Sequence, residues 1–317
     1  MSARALWCVG SAQADIRPAA LGEGVLVDTL YSGISRGTER KVFEGNVPET
    51  EFSRMRGPAQ EGEFPHPVKY GYSVVGRVLE GELRDQNVFA LHPHQTEFRL
   101  PDTMLHPLPE ALPPERAVLA ANMETALNIL WDANAGPGDK ILVIGTGVVG
   151  ALAGYLAARI PGTEVTLADI NPDRSTVASC LGCEFTMPDT APQLCDIVIH
   201  LSGSAAGLQT AIDCAGNEAQ VIEASWYGAG TIAAPLGGAF HSRRVSLISS
   251  QVGQVSPKRR PRWSHKRRIG KALELLCDPA LNVLISGETM FEELPQVYGS
   301  VLSDPDTLCH RVRYTSK

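Results

Sequence analysis

The densest alternation of apolar and polar positions lies between residues 140 and 169. Ile141-Leu142-Val143-Ile144 is a continuous apolar run of strand length. It breaks into Gly145-Thr146-Gly147-Val148-Val149-Gly150, and an Ala-rich segment continues at helical spacing to about Ile160. A second strand-like run, 164–168, ends on Asp169, 19 residues past the last glycine. The alternation goes on: Asn171-Pro172-Asp173 starts a helix, strands are expected at 196–201, 220–224 and 245–250, and a helix at 205–214. Strand and helix in turn predict an α/β domain with a doubly wound parallel sheet over residues 122–262.

Residues 1–121 read differently. Short β-like runs at 5–9, 24–31, 73–80, 87–90 and 96–100 are separated by Gly, Pro and acidic turns, without long amphipathic helices. They predict a small barrel-like β domain. The polar, proline-containing segment 44–67 is long for a loop, which marks it as functional or mobile. After the α/β region an amphipathic helix is expected from Ile269 to about Cys277. A polar stretch, a helix near 293–302 and a closing strand at 309–314 follow.

Composition narrows the class. A chain of 317 residues suits two domains. No apolar run approaches the roughly 18 residues that span a bilayer. The N-terminus lacks the apolar core of a leader, so a cytoplasmic protein is expected. A net charge of −7 argues against general nucleic-acid binding. The odd count of seven cysteines fits reduced thiols, and Cys180-Leu-Gly-Cys183 has no second pair to complete a zinc knuckle.

The glycine turn carries the clearest chemistry. Gly145 permits the tight turn, Gly147 lets backbone approach a pyrophosphate, and Gly150 lets helix and strand pack closely. Thr146, Val148 and Val149 complete a loop whose helix N-terminus offers N–H groups to phosphates. Asp169 is placed to accept hydrogen bonds from ribose hydroxyls and to repel a 2′-phosphate. Asp169 followed by Ile170 therefore favours NAD over NADP, while Arg174 five residues on could admit the phosphate. Ser202-Gly203 and Ser225-Trp226 fall at carboxyl ends of strands, where open α/β sheets bind ligands. A basic run follows: Lys258, Arg259, Arg260, Arg262, Lys266, Arg267 and Arg268, with Trp263 and His265 among them. It reads either as a site for an anionic, flat substrate or as a solvated face or oligomer contact.

Two motifs in the first domain remain, Ser32-Gly-Ile-Ser35-Arg36-Gly-Thr-Glu39 and Val68-Lys-Tyr-Gly-Tyr72-Ser-Val-Val-Gly76. With the glycine turn, Gly136-Pro-Gly-Asp-Lys140 and Thr125 of Asn122-Met-Glu-Thr-Ala-Leu127, they make the chain resemble the medium-chain dehydrogenase/reductase superfamily. The resemblance implies a GroES-like β-barrel catalytic domain at 1–121, a Rossmann NAD-binding domain at 122–262, and a tail, 263–317, that returns to the catalytic domain. Zinc-containing members carry Cys, His and Cys where this chain has Ser35, Tyr72 and Ala121, and the lobe for structural zinc is missing as well. A hydroxyl, a phenol and a methyl group do not make a zinc site. A short, zinc-less branch is implied and no metal is expected, with a rearranged site on His92 and His94 as the alternative.

The resemblance further implies that Tyr72 polarises a carbonyl, with Ser35 as a second donor and Glu39, Glu124 or His92 as proton relays. Arg36 would contact the cofactor pyrophosphate, Thr125 the nicotinamide. The expected protein is a zinc-independent NAD(H)-dependent oxidoreductase of a secondary alcohol/carbonyl pair. Its substrate is a small molecule, cyclic or anionic, and homodimers are common among relatives. The alternatives are an NADPH-dependent quinone or enone reductase, and a non-catalytic NAD(H)-binding protein.

Overall fold

The protein is described by a computed structural model over residues 3–315. Contacts divide it into two units, Met1–Ala121 with Ile269–Lys317, and Asn122–Arg268.

The second unit is built on six parallel strands: Lys140–Ile144, Glu164–Ala168, Glu184–Thr186, Cys195–His200, Ala215–Glu223 and Ser246–Ser249. Their spatial order, numbered within the unit, is 3-2-1-4-5-6, and every pairing is parallel. The order reverses between Lys140–Ile144 and Cys195–His200, and ligands of such sheets bind at that switch point. Strand residues Leu142, Ile144, Ala168, Val198 and Val221 pack with Leu208, Ala211 and Ile212 of the helix Ala205–Cys214. Fully buried apolar strands of this kind are what two-sided helix cover demands.

The unit ends at Arg268, not at the expected 262. Arg268 is buried and pairs with Glu124 at 2.9 Å, so its side chain belongs with the unit's first turn of chain. The helix expected from Ile269 accordingly begins earlier, as His265–Leu275, inside the basic run.

In the first unit the ten-residue strand Val25–Ile34 is the spine of a seven-stranded sheet. It pairs antiparallel with Val74–Val78, with Glu97–Leu100 and with the tail strand Cys309–Arg313, where His310 lies opposite Ile34. Val27, Val74, Val78, Val88, Phe98 and Leu105 fill its core. A parallel edge strand, Ile285–Met290, lies where only a polar stretch was expected; its residues are half-buried or exposed and none is buried, so no apolar run announces it. A second, four-stranded sheet holds Arg4–Gly10 and Gln13–Pro18 with the short strands at 61–62 and 68–69. Within the segment 44–67, Phe64 is buried and packs on Phe52 and Tyr70. Among the described residues no helix is long and apolar enough to cross a membrane, and all seven cysteines are free.

Candidate functional site

Each unit carries a cluster of polar side chains. In the first, Val25–Ile34 gives way at Ser35 to the short helix Arg36–Phe43. Ser35 is the residue before that helix, and Glu39 turns back to accept the Ser35 N–H at 2.7 Å, which closes the first turn. The Tyr72 hydroxyl donates to Ser35 Oγ at 2.5 Å. Burial raises the Tyr72 phenol, hydrogen bonds with Ser35 and Thr38 pull it back, and the result is about 12. Tyr72 is therefore a proton donor at neutral pH.

Glu39, 1% exposed, is the hub of a buried network. Its Oε2 accepts from the Tyr298 hydroxyl at 2.7 Å and lies 2.9 Å from His94 Nε2. His94 Nδ1 meets Ser32 Oγ at 2.7 Å, and Ser32 Oγ meets the Tyr314 hydroxyl at 2.9 Å. Ser35, Tyr72 and Glu39 are thus brought together, but His92 is not with them. Its ring stacks on Phe98 at 4.0 Å and its Nδ1 bonds the Pro93 carbonyl. Burial holds its pKa down to about 3, which keeps the ring neutral, and the geometry sets it apart from the Glu39 network in which a relay was expected. His94 stands in its place beside Glu39. The sequence held the residue in view beside His92, but a bond across 55 positions has no local signature. Glu124, another expected relay, is buried in the other unit's ion pair with Arg268. Among the described residues no three metal-binding side chains converge.

In the second unit the loop Gly145–Gly150 sits at the switch point. Gly145 has φ +100°, and a Cβ there would stand 2.7 Å from the Ser202 nitrogen. At Gly150 a Cβ would overlap the Gly145 carbonyl oxygen, whereas at Gly147 it would meet nothing within 4 Å. Open space above Gly147 leaves room for a pyrophosphate. The following helix, Val148–Ala157, starts with no side-chain cap, and the N–H groups of its first turn have no carbonyl partner within the helix. Thr146 Oγ1 is buried without a hydrogen-bond partner. Ile170 is 83% exposed, an unusual state for an isoleucine and a natural platform for an adenine ring. These features fit a dinucleotide.

Asp169 does more than sequence reasoning expected of it. Its carboxylate accepts the Thr146 N–H at 2.6 Å and the Asn171 N–H at 2.9 Å, so it organises the glycine loop itself. Arg174 is buried at the start of the next helix. Thr125 is half-buried on the helix Ala120–Ala133, and Arg36 half-buried on the other unit's short helix. Ser202 and Gly203 are exposed past the end of Cys195–His200, and Ser225 and Trp226 follow Ala215–Glu223. Ser225 Oγ accepts the Gly203 N–H at 3.1 Å, which ties the two strand ends together. Sequence reasoning missed the two side chains beneath them, His200 and Glu223, 2.7 Å apart.

The basic run splits. Arg268 is structural, donating to Glu124, to Asn128 and to the Val252 and Gln254 carbonyls. Lys258, Arg259, Arg260, Arg262, Lys266 and Arg267 are exposed. Trp263 packs against Trp131 at 4.8 Å and under Arg267 at 4.0 Å, so it is not a free stacking plate.

A parallel sheet of this order with a glycine loop at its switch point defines a dinucleotide-binding fold. No protein-family model matches the chain. Over 211 residues it is 28% identical to D-guloside 3-dehydrogenase of Escherichia coli, a match covering 61% of this chain and 59% of that protein. The chain thus spans about six tenths of the length of the curated relatives it matches first. Its fold is similar to L-idonate 5-dehydrogenase of E. coli (TM-score 0.80, 14% identity, 99% of this chain and 98% of that one). It is also similar to an alcohol dehydrogenase of E. coli CFT073 solved with NADH (TM-score 0.77, 15% identity, 99% and 100%). The chain is thus similar in sequence to zinc-type alcohol dehydrogenase-like proteins and shares their fold, a Rossmann unit with a GroES-like unit.

Proposed function

We propose that the protein is a zinc-independent, NAD(H)-dependent oxidoreductase that interconverts a secondary alcohol and a carbonyl. The observation that carries this reading is the Tyr72–Ser35 hydroxyl pair, 2.5 Å apart, at positions where the resembled enzymes hold metal ligands. With Ala121 as the third residue, that donor set does not suit tetrahedral zinc. The relatives named for a guloside, an idonate and threonine support a polar, hydroxylated substrate, cyclic or anionic.

Bound nicotinamide supplies the hydride chemistry. The chain's own part is to orient and to manage a proton. Tyr72 Oη, kept protonated by burial, gives its proton to the carbonyl oxygen in reduction, and Ser35 Oγ holds the phenol in place. Asp169 presents its carboxylate to the ribose hydroxyls while it pins the loop, and this favours NAD.

The test is a fluorescence titration with NADH and NADPH side by side, followed by a carbonyl screen. Tighter NADH binding and turnover unaffected by chelators are expected. Tyr72→Phe should lower kcat by about 10²-fold or more without weakening NADH binding. Tighter NADPH binding would favour the quinone or enone reductase, with Arg174 reading the phosphate. NADH binding without turnover on any carbonyl, and indifference to Tyr72→Phe, would leave a binding protein.

A further inference from the structure

At the carboxyl end of Cys195–His200 two hydroxyls, an imidazole and a carboxylate form one chain of hydrogen bonds. Ser204 Oγ accepts the Gly207 N–H at 3.0 Å and so has its own proton free to give to Ser202 Oγ, also at 3.0 Å. Ser202 Oγ in turn lies 2.7 Å from His200 Nε2, and His200 Nδ1 lies 2.7 Å from Glu223 Oε2. Glu223 is fixed from two further directions, by the Ser225 N–H at 2.8 Å and the Tyr227 hydroxyl at 3.1 Å. One proton arrangement satisfies every contact and leaves a base beside the hydroxyl: Nδ1–H donates to the carboxylate, Nε2 is unprotonated, and the Ser202 hydroxyl donates to it. One lone pair of Ser202 Oγ remains, and the residue is exposed while His200 is fully buried. Gly207 makes room for the pair, since a Cβ there would overlap Ser202 Oγ and stand 2.7 Å from His200 Nε2.

A nucleophile on a base that is itself oriented by an acid is the arrangement that activates serine hydroxyls. Position agrees with it. Ser202 lies between the end of a strand and the start of the helix Ala205–Cys214, next to Gly203 at φ +64°. The N–H groups of Ala205 and Ala206, in that helix's first turn, have no carbonyl partner within it and are the donors available to a developing oxyanion.

We infer that Ser202, His200 and Glu223 form an acyl-transfer triad, so that Ser202 is acylated by small esters. Ser202 Oγ forms a bond to the ester carbonyl carbon as His200 Nε2 takes the hydroxyl proton. The tetrahedral species collapses, the ester C–O bond breaks, and the leaving alkoxide takes that proton from His200. Water, deprotonated by the same nitrogen, then releases the carboxylic acid and restores Ser202. One ester and one water give one acid and one alcohol, with no change of oxidation state.

The experiment is labelling of the purified protein by an alkyl fluorophosphonate, read by peptide mass spectrometry without any dinucleotide. Its result is therefore independent of the redox reading. A phosphonate–Ser202 bond forms and fluoride leaves. The expected result is an adduct on Ser202 that forms at least about a hundredfold faster than in His200→Gln and is absent in Ser202→Ala. The labelling rate of the unmodified chain should rise with pH, as general-base activation of a hydroxyl requires. Should either variant fail to fold, that profile and the mapped adduct decide. No adduct on Ser202, a rate flat with pH, or equal labelling of folded His200→Gln overturns the proposal.

Discussion

Buried polar residues in the first unit are distinguished by whom they face, and His92 and His94 show it two positions apart. His94 faces Glu39 and Ser32 through its two ring nitrogens, while His92 faces Phe98 and has a single backbone partner. The second environment rewards the neutral ring. An unfolded histidine takes up its proton near 6.5, but folded His92 only near about 3. Between those values the unfolded chain binds the extra proton, so stability present above 6.5 is lost as pH falls through that window. Acidification from pH 7 to 4.5 should cost about 2–3 kcal/mol through this group alone. His92→Gln should lose that much less on the same acidification, as read from denaturant melts at the two pH values. An equal loss in both proteins would mean that His92 is not held neutral. At this scale the sequence is legible where neighbours are close along the chain. The glycine loop and Asp169 were readable because a turn, a helix start and a strand end leave local marks. The Glu39–His94–Tyr298 network was not, because its members are 55 and 259 positions apart.

Elements were readable when their burial is one-sided or complete in a short run. The apolar strands Lys140–Ile144 and Glu164–Ala168 announced themselves, but the helix Ala120–Ala133 did not, since it is buried on nearly every face and shows no amphipathic period. The glycine loop allows a sharp test of what each glycine does for the elements it joins. Gly150→Ala drives a Cβ into the Gly145 carbonyl oxygen and must push helix and strand apart, at a cost of about 1–3 kcal/mol in thermal or denaturant melts. Gly147→Ala adds a methyl to open space at an ordinary backbone conformation, φ −72°, and should leave the melt within about 0.5 kcal/mol. Its effect belongs to binding, because that methyl occupies the room left for a pyrophosphate. Gly147→Ala should therefore lower NADH affinity in a protein of unchanged stability. Equal destabilisation by both substitutions would contradict the packing described for Gly150.

At the scale of the whole molecule the chain enters the Rossmann unit at Asn122 and leaves it at Arg268, and the unit closes on its own ends. Arg268, 1% exposed, is the clasp, with Glu124, Asn128 and two carbonyls as acceptors. The two partners of the ion pair are not equivalent. Burial raises the Glu124 carboxyl above its ordinary value even though Arg268 acts to lower it, so the carboxylate is held at some cost. Arg268 keeps three acceptors when Glu124 is made neutral, whereas Glu124 is left buried and unpaired when Arg268 is removed. Breaking a buried pair from the expensive side costs about 3–5 kcal/mol. Arg268→Ala should destabilise the protein by that order, and Glu124→Gln, which keeps the shape and one acceptor oxygen, by about 1 kcal/mol or less. Denaturant melts of the two variants decide it. If Glu124→Gln were as damaging as Arg268→Ala, the pair's charge rather than the guanidinium's four anchors would hold the ends of the unit together.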